Sequence, residues 1–254
     1  MATPLVFVHG FACTHADWQL QLAHFSTDHP TFAPDLRGHG RTHARPEDCS
    51  IETYGSDIAA LLEGKDLRGV VLIGHSMGCR VVLQAYLNAP ERVAAVALID
   101  GSCRVGADPA SAEAAARAAI DADGYATFAR RLFTEMFLAP SAQATAIVER
   151  ALKLPASIGS VLYPRIGRWD TAHMVEALSA VKIPLFAIQS TYLNLQSERV
   201  AIKPGESTPW LDLVRRNAPQ AKIEIIPGMG HFPQLEVPQV VNEYLAGLID
   251  AIPT

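Results

Sequence analysis

Apolar residues fall along this chain in two alternating styles. Leu5–Val8, Val70–Ile73, Val93–Ile99 and Ile183–Ile188 are short, nearly continuous apolar runs, the signature of strands buried on both faces. Thr31–Pro34 and Lys222–Ile226 read as two further, shorter strands. Between the runs, apolar residues recur at helical spacing: Trp18, Leu22 and Phe25; Ile51, Tyr54, Ile58, Leu61 and Leu62; Val81, Val82, Ala85 and Tyr86. Ser50 is a candidate N-cap for the second of these helices, with Glu52 in its first turn, and a closing helix is expected from about Val237 to Ile249. Strand and amphipathic helix in turn predict an α/β fold, a mostly parallel sheet flanked by helices on both faces.

The alternation stops between about Cys103 and Val181. Here helix follows helix, over Ser111–Asp121, Gly124–Leu138, Ser141–Leu154 and Thr171–Val181, with Pro140, Pro155 and Pro164 as breaks. The pattern divides the chain into a core domain of residues 1–102 and 182–254 and a helical cap of residues 103–181. Phe128, Phe133, Met136, Phe137, Tyr163, Trp169 and Met174 are available to line an apolar pocket beneath such a cap. For any one of them, packing inside the cap is the commoner role. Arg165 and Arg168 are candidates to meet a substrate carboxylate, against the commoner fate of solvation.

Chemistry concentrates where the run Val70–Ile73 enters Gly74-His75-Ser76-Met77-Gly78 and a helix leaves it. A strand, a Gly-x-Ser-x-Gly turn and a helix in that order are what a nucleophile elbow requires. The tight turn exposes Ser76 at its tip, and the helix N-terminus behind it favours negative charge on the serine oxygen. Downstream, Gly228-Met229-Gly230-His231-Phe232-Pro233 holds a histidine in a loop beyond the final strand, able to return to the same sheet edge. His9 and His75 sit beside glycine or serine in turns, where packing roles are expected. His39 and His43 lie four apart in a loop with no carboxylate or cysteine partner nearby, so no metal site is expected.

Composition narrows the partners. The 254 residues are 49% hydrophobic and 19% charged, enough for one large α/β domain, and a net charge of −5 without a basic run argues against nucleic acid and anionic membranes. A small-molecule substrate is expected, and the oligomeric state is left open. Cys13, Cys49, Cys79 and Cys103 form no Cys-x-x-Cys pair, so neither zinc nor a disulfide framework is suggested. The first nine residues run straight into a strand and lack a leader pattern, and no apolar run reaches membrane-spanning length. A cytoplasmic location is the expectation.

Taken together, His9-Gly10-Phe11, Asp35-Leu36-Arg37-Gly38-His39-Gly40, the Ser76 elbow and Gly230-His231-Phe232 resemble the α/β-hydrolase superfamily of capped esterases, lactonases and carbon–carbon bond hydrolases. The likeness spans nearly the whole chain, which begins at what would be the family's third strand. It implies a cap inserted after the sixth strand and an oxyanion hole made by the backbone N–H groups of Phe11 and Met77. One departure concerns the triad acid. Most members carry an Asp just after the strand that follows the cap, whereas this chain reads Gln189-Ser190-Thr191-Tyr192-Leu193-Asn194 there, with Glu198, Glu206 and Asp212 further on. Asp100 ends the strand next to the elbow, a position that some members use for the acid, including lipases and cofactor-independent dioxygenases that cleave quinolone rings. The expected constellation is therefore Ser76, His231 and Asp100, without metal or cofactor. Its expected reaction is acyl-transfer hydrolysis of a small ester or lactone with an apolar portion. The alternatives from the same resemblance are cofactor-free oxygenation of an aromatic heterocycle and small-molecule reception without turnover.

Overall fold

The computed structural model describes residues 2–104, 107–194 and 198–252. Six strands form one parallel sheet: β1 (Leu5–Val8), β2 (Thr31–Phe32), β3 (Val70–His75), β4 (Val93–Ile99), β5 (Leu185–Gln189) and, after the hairpin described below, β8 (Lys222–Ile225). Their spatial order is β2-β1-β3-β4-β5-β8, so both central neighbours, β3 and β4, end at the same edge with His75 opposite Ile99.

Because side chains alternate faces along a strand, each continuous apolar run feeds two cores. Leu5 and Phe7 of β1, with Val71 and Ile73 of β3, pack on one face beneath Trp18, α1 (Gln19–Phe25) and the closing helix. Phe7 meets Trp18 and Phe25 at ring-centroid distances of 5.2 and 6.4 Å. Val6, Val8, Val70 and Leu72 point the other way, against α2 (Ile51–Gly64) and α3 (Met77–Asn88). α2 starts where expected, with the Ser50 side chain accepting the Thr53 N–H.

Four helices lie between β4 and β5: α4 (Pro109–Asp123), α5 (Tyr125–Thr134), α6 (Ala142–Ala151) and α7 (Ala156–Ala180). α7 overturns one expectation. Pro164, expected to break the chain, sits buried inside this 25-residue helix. An internal proline removes a hydrogen bond and costs about 3 kcal/mol, but Leu162, Ile166, Trp169, Met174 and Leu178 bury one long face of α7 and hold it continuous. After β5 comes an antiparallel hairpin that the residue pattern does not predict, β6 (Thr191–Leu193) with β7 (Arg199–Ala201). α8 (Pro209–Asn217), β8, the single turn α9 (Pro233–Glu236) and α10 (Pro238–Asp250) complete the chain. No helix among the described residues is long and apolar enough to cross a membrane.

Candidate active site

Ser76 stands between β3 and α3 at φ 56°, ψ −115°, a backbone region costly for any residue with a side chain. Its own N–H donates to Ile99 O at 3.0 Å, tying the turn to β4. Two glycines make the turn possible. A Cβ on Gly74 would lie 2.3 Å from Gly78 O, and one on Gly78 would lie 2.2 Å from Val8 O. Since both obstacles are backbone, Gly78→Ala is expected to destabilise the protein by about 3 kcal/mol or more, to be read as a lowered denaturation midpoint at unchanged m-value.

Asp100 occupies the step after β4, also at positive φ (44°), and donates its N–H to Ile188 O at 2.8 Å. The carboxylate is fully buried and heavily supported. Oδ1 accepts the N–H groups of Ser190 and Thr191 at 2.8 and 2.7 Å; Oδ2 accepts the Thr191 hydroxyl at 2.5 Å and faces His231 Nδ1 at 2.5 Å. Burial alone would raise its pKa, but the His231 hydrogen bond, the nearby charges of His231 and Arg199, and Thr191 hold it below the usual carboxylate value.

His231 Nε2 lies 2.9 Å from Ser76 Oγ, which completes a hydrogen-bonded chain from serine to carboxylate. The histidine loop is fixed from three sides. Glu236 accepts the N–H groups of Gly230 and Phe232 at 3.0 and 3.1 Å, His75 Nε2 donates to His231 O at 2.7 Å, and His231 N–H donates to Met136 O at 2.8 Å. Burial, with the Arg199 charge behind it, lowers the His231 pKa to about 4 against the pull of Asp100. The imidazole is thus neutral over the ordinary pH range, with Nδ1–H toward Asp100 and Nε2 free to accept the serine proton.

Phe11 and Met77 line the same small chamber as Ser76, of about 40 Å³. Met77 is the first residue of α3, where helix N–H groups lack intrahelical partners. The other histidines have structural partners: His9 Nε2 accepts the Leu36 N–H, and His39 Nε2 accepts the Ala12 N–H. Among the described residues, no group of three or more His, Cys, Asp or Glu side chains is placed to hold a metal ion.

Most of the other side chains weighed as site candidates have structural partners, the commoner role for their types. Arg165 donates to Pro46 O, Glu47 O and Cys49 O, and Arg168 faces Glu113, so neither meets the site. Trp169 is fully buried and bonds Gln84, and Phe137 stacks on Phe232; only Met136 and Tyr163 of the seven nominated side chains line the serine chamber. Glu198 pairs with Asn194, Glu206 with Tyr192 and Asp212 with Ser207, whereas the carboxylate at His231 Nδ1 is that of Asp100.

Three arginines not singled out from the sequence line the chamber instead: Arg80, Arg104 and Arg199. Arg80 forms a bidentate pair with Asp170, both contacts at 2.7 Å, and donates to Ser76 O and Ser102 O. Its place four residues after Ser76 on a helix was a usable signal, but its partner lies ninety residues on. Arg104 donates to Tyr163 Oη and lies 5.0 Å from that ring's centroid. Arg199, on the unforeseen hairpin, donates to Thr191 Oγ1 at 2.7 Å and approaches Asp100 Oδ2 at 3.5 Å.

Residues 5–244 match the model of the alpha/beta hydrolase family. A non-heme chloroperoxidase of Streptomyces lividans is 42% identical over 98 residues, which is 38% of this chain and 36% of that protein. The chain therefore covers well under two thirds of that curated relative. Solved structures similar over their length include a hydrolase from Oleispira antarctica (TM-score 0.81, 18% identity, 99% of this chain and 92% of the other) and an esterase from Exiguobacterium antarcticum (TM-score 0.80, 16% identity, 98% and 92%).

Proposed function

This chain belongs to the alpha/beta hydrolase family, and from that premise we propose that it is a serine hydrolase acting on a small ester or lactone through an acyl-enzyme intermediate. The observation that carries the reading is the continuous chain Ser76 Oγ, His231 Nε2, His231 Nδ1, Asp100 Oδ2, at 2.9 and 2.5 Å. Ser76 attacks the carbonyl carbon while His231 takes its proton; the resulting imidazolium is stabilised by Asp100, and the tetrahedral oxyanion by the N–H groups of Phe11 and Met77. His231 then returns the proton to the leaving oxygen, and water, activated the same way, frees the acid product.

Helices α4 to α7 serve as the cap in this reading. Leu132, Met136, Tyr163 and Ile166 give the chamber its apolar wall, matching a substrate with an apolar portion. Met136→Ala is expected to shift the preference between short and long acyl chains by about tenfold, the worth of a methylene or two, as read from kcat/KM over a series of activated esters.

The histidine sets the pH profile. With its pKa lowered to about 4, the acid limb of kcat/KM should fall near pH 4 and not near the ordinary 6.5, because only below that value is Nε2 protonated and unable to accept the serine proton. Arg199→Gln removes a positive charge that opposes protonation, so the same limb should move to higher pH.

The direct test is labelling by a fluorophosphonate probe with mass-spectrometric localisation to Ser76, together with turnover of a chain-length series of esters. Oxygen uptake with a hydroxyquinolone, or tight ligand binding without burst or turnover, would count against the hydrolase reading.

A further inference from the structure

Positive charge is in excess around the serine chamber. Arg80, Arg104 and Arg199 line it, while Asp170 and Asp100 are the carboxylates in contact with them. Asp170 is committed to Arg80 through both oxygens, and Asp100 is committed to His231 and its loop. Arg199 has a side chain only 7% exposed, and both of its polar contacts are made by Nη1; among the described residues its Nε and Nη2 have no acceptor. Arg104 uses Nη1 on the neutral Tyr163 hydroxyl and likewise has no side-chain carboxylate partner there. A guanidinium held in a largely enclosed chamber gains from an anion that meets its free donors, and its planar fork fits a carboxylate.

A larger cavity of about 550 Å³ among α4, α5 and α7 shares Arg104, Leu132 and Tyr163 with the serine chamber. Its other charged lining residues are Arg131, which pairs with Asp123 at 2.7 Å, and Glu135. Arg104 therefore stands where the space for the body of a substrate meets the space for its reacting carbonyl.

We propose that the substrate of this site is a carboxylate-bearing ester or lactone, its free carboxylate held by Arg104 and Arg199 while its carbonyl lies at Ser76. The proposal rests on the reading of this chamber as the active site. It departs from an apolar ester because the excess positive charge would gain nothing from one.

The test separates binding from chemistry by using Ser76→Ala protein. Calorimetry compares two matched pairs: monoethyl succinate with diethyl succinate, which places the carboxylate on the acyl side, and 4-acetoxybenzoate with its methyl ester, which places it on the leaving side. At least one anion is expected to bind about tenfold or more tighter than its neutral partner, the scale of one charge-assisted hydrogen bond. That advantage should shrink as salt rises from about 20 to about 500 mM, and should collapse when Arg104→Gln is added. Neutral esters binding as well as the anions in both pairs, or no binding of either anion, would overturn the proposal. The salt series on protein with all three arginines keeps it testable if the Arg104 variant folds poorly. Failure of the hydrolase reading would show separately, as wild-type protein that a fluorophosphonate leaves unlabelled at Ser76.

Discussion

Replacing Ser76 with alanine is expected to lower ester turnover by on the order of a millionfold, leaving the smaller acceleration that an oxyanion hole and binding supply without a nucleophile. The substitution is unusually clean in this fold. The strained backbone at φ 56° is imposed by Gly74, Gly78 and the Ser76 N–H bond to Ile99, none of which involves the hydroxyl. His231 would lose a partner at Nε2 but keep Asp100, Glu236, His75 and Met136 around its loop. Steady-state kinetics with an activated ester and a fluorophosphonate labelling assay should fall together. Retained turnover with an unchanged melting temperature would remove Ser76 from the reaction.

Asp100→Asn is expected to cost about 10⁴ in turnover, the scale set by loss of the histidine tautomer in the serine-protease template. Here the surroundings dictate the orientation of the introduced amide. The position of Oδ1 receives two backbone N–H groups, from Ser190 and Thr191, so the amide oxygen must lie there and the NH₂ must lie at Oδ2, against His231 Nδ1. A donor at that point forces the proton of the imidazole onto Nε2, where it cannot accept from serine. Glu198→Gln, Glu206→Gln and Asp212→Asn, each engaged elsewhere, should change kcat less than about threefold, within the small effects usual for surface substitutions. Reversal of that order, with one of the three crippling and Asp100→Asn active, would move the acid off β4.

The parts legible in the sequence were those whose cause is local. Apolar runs and helical spacing gave the parallel sheet, its flanking helices and the four-helix stretch; the flanking pattern of the Ser76 turn and the glycine-rich His231 loop drew attention to residues that the fold brings within 2.9 Å. What stayed hidden depends on partners distant in sequence. Arg80 needs Asp170, and Glu236 matters because it clamps both sides of a loop that composition could not orient. Arg199 is invisible as a site residue until the β6–β7 hairpin turns it inward beside Asp100, and short strands of three residues leave almost no periodicity to read. Pro164 misled because proline's local rule was outweighed by the burial of a whole helix face.

The order of the parts along the chain has an evolutionary and engineering consequence. Ser76 and Asp100 both precede α4, each one residue past the end of neighbouring strands locked in register by Gly74 opposite Leu98 and His75 opposite Ile99. In the proposed mechanism, an acid placed after β5 would put the whole helical insertion between nucleophile and acid along the chain, and each remodelling of those helices would risk their alignment. In this arrangement the insertion meets the serine turn through side chains, Asp170 of α7 pairing with Arg80, which donates to Ser76 O. Met136 O, in the same insertion, accepts the His231 N–H, so grafted or drifting versions of α4 to α7 would be screened by two criteria, whether they still pair Arg80 and whether they still hold the His231 loop in place.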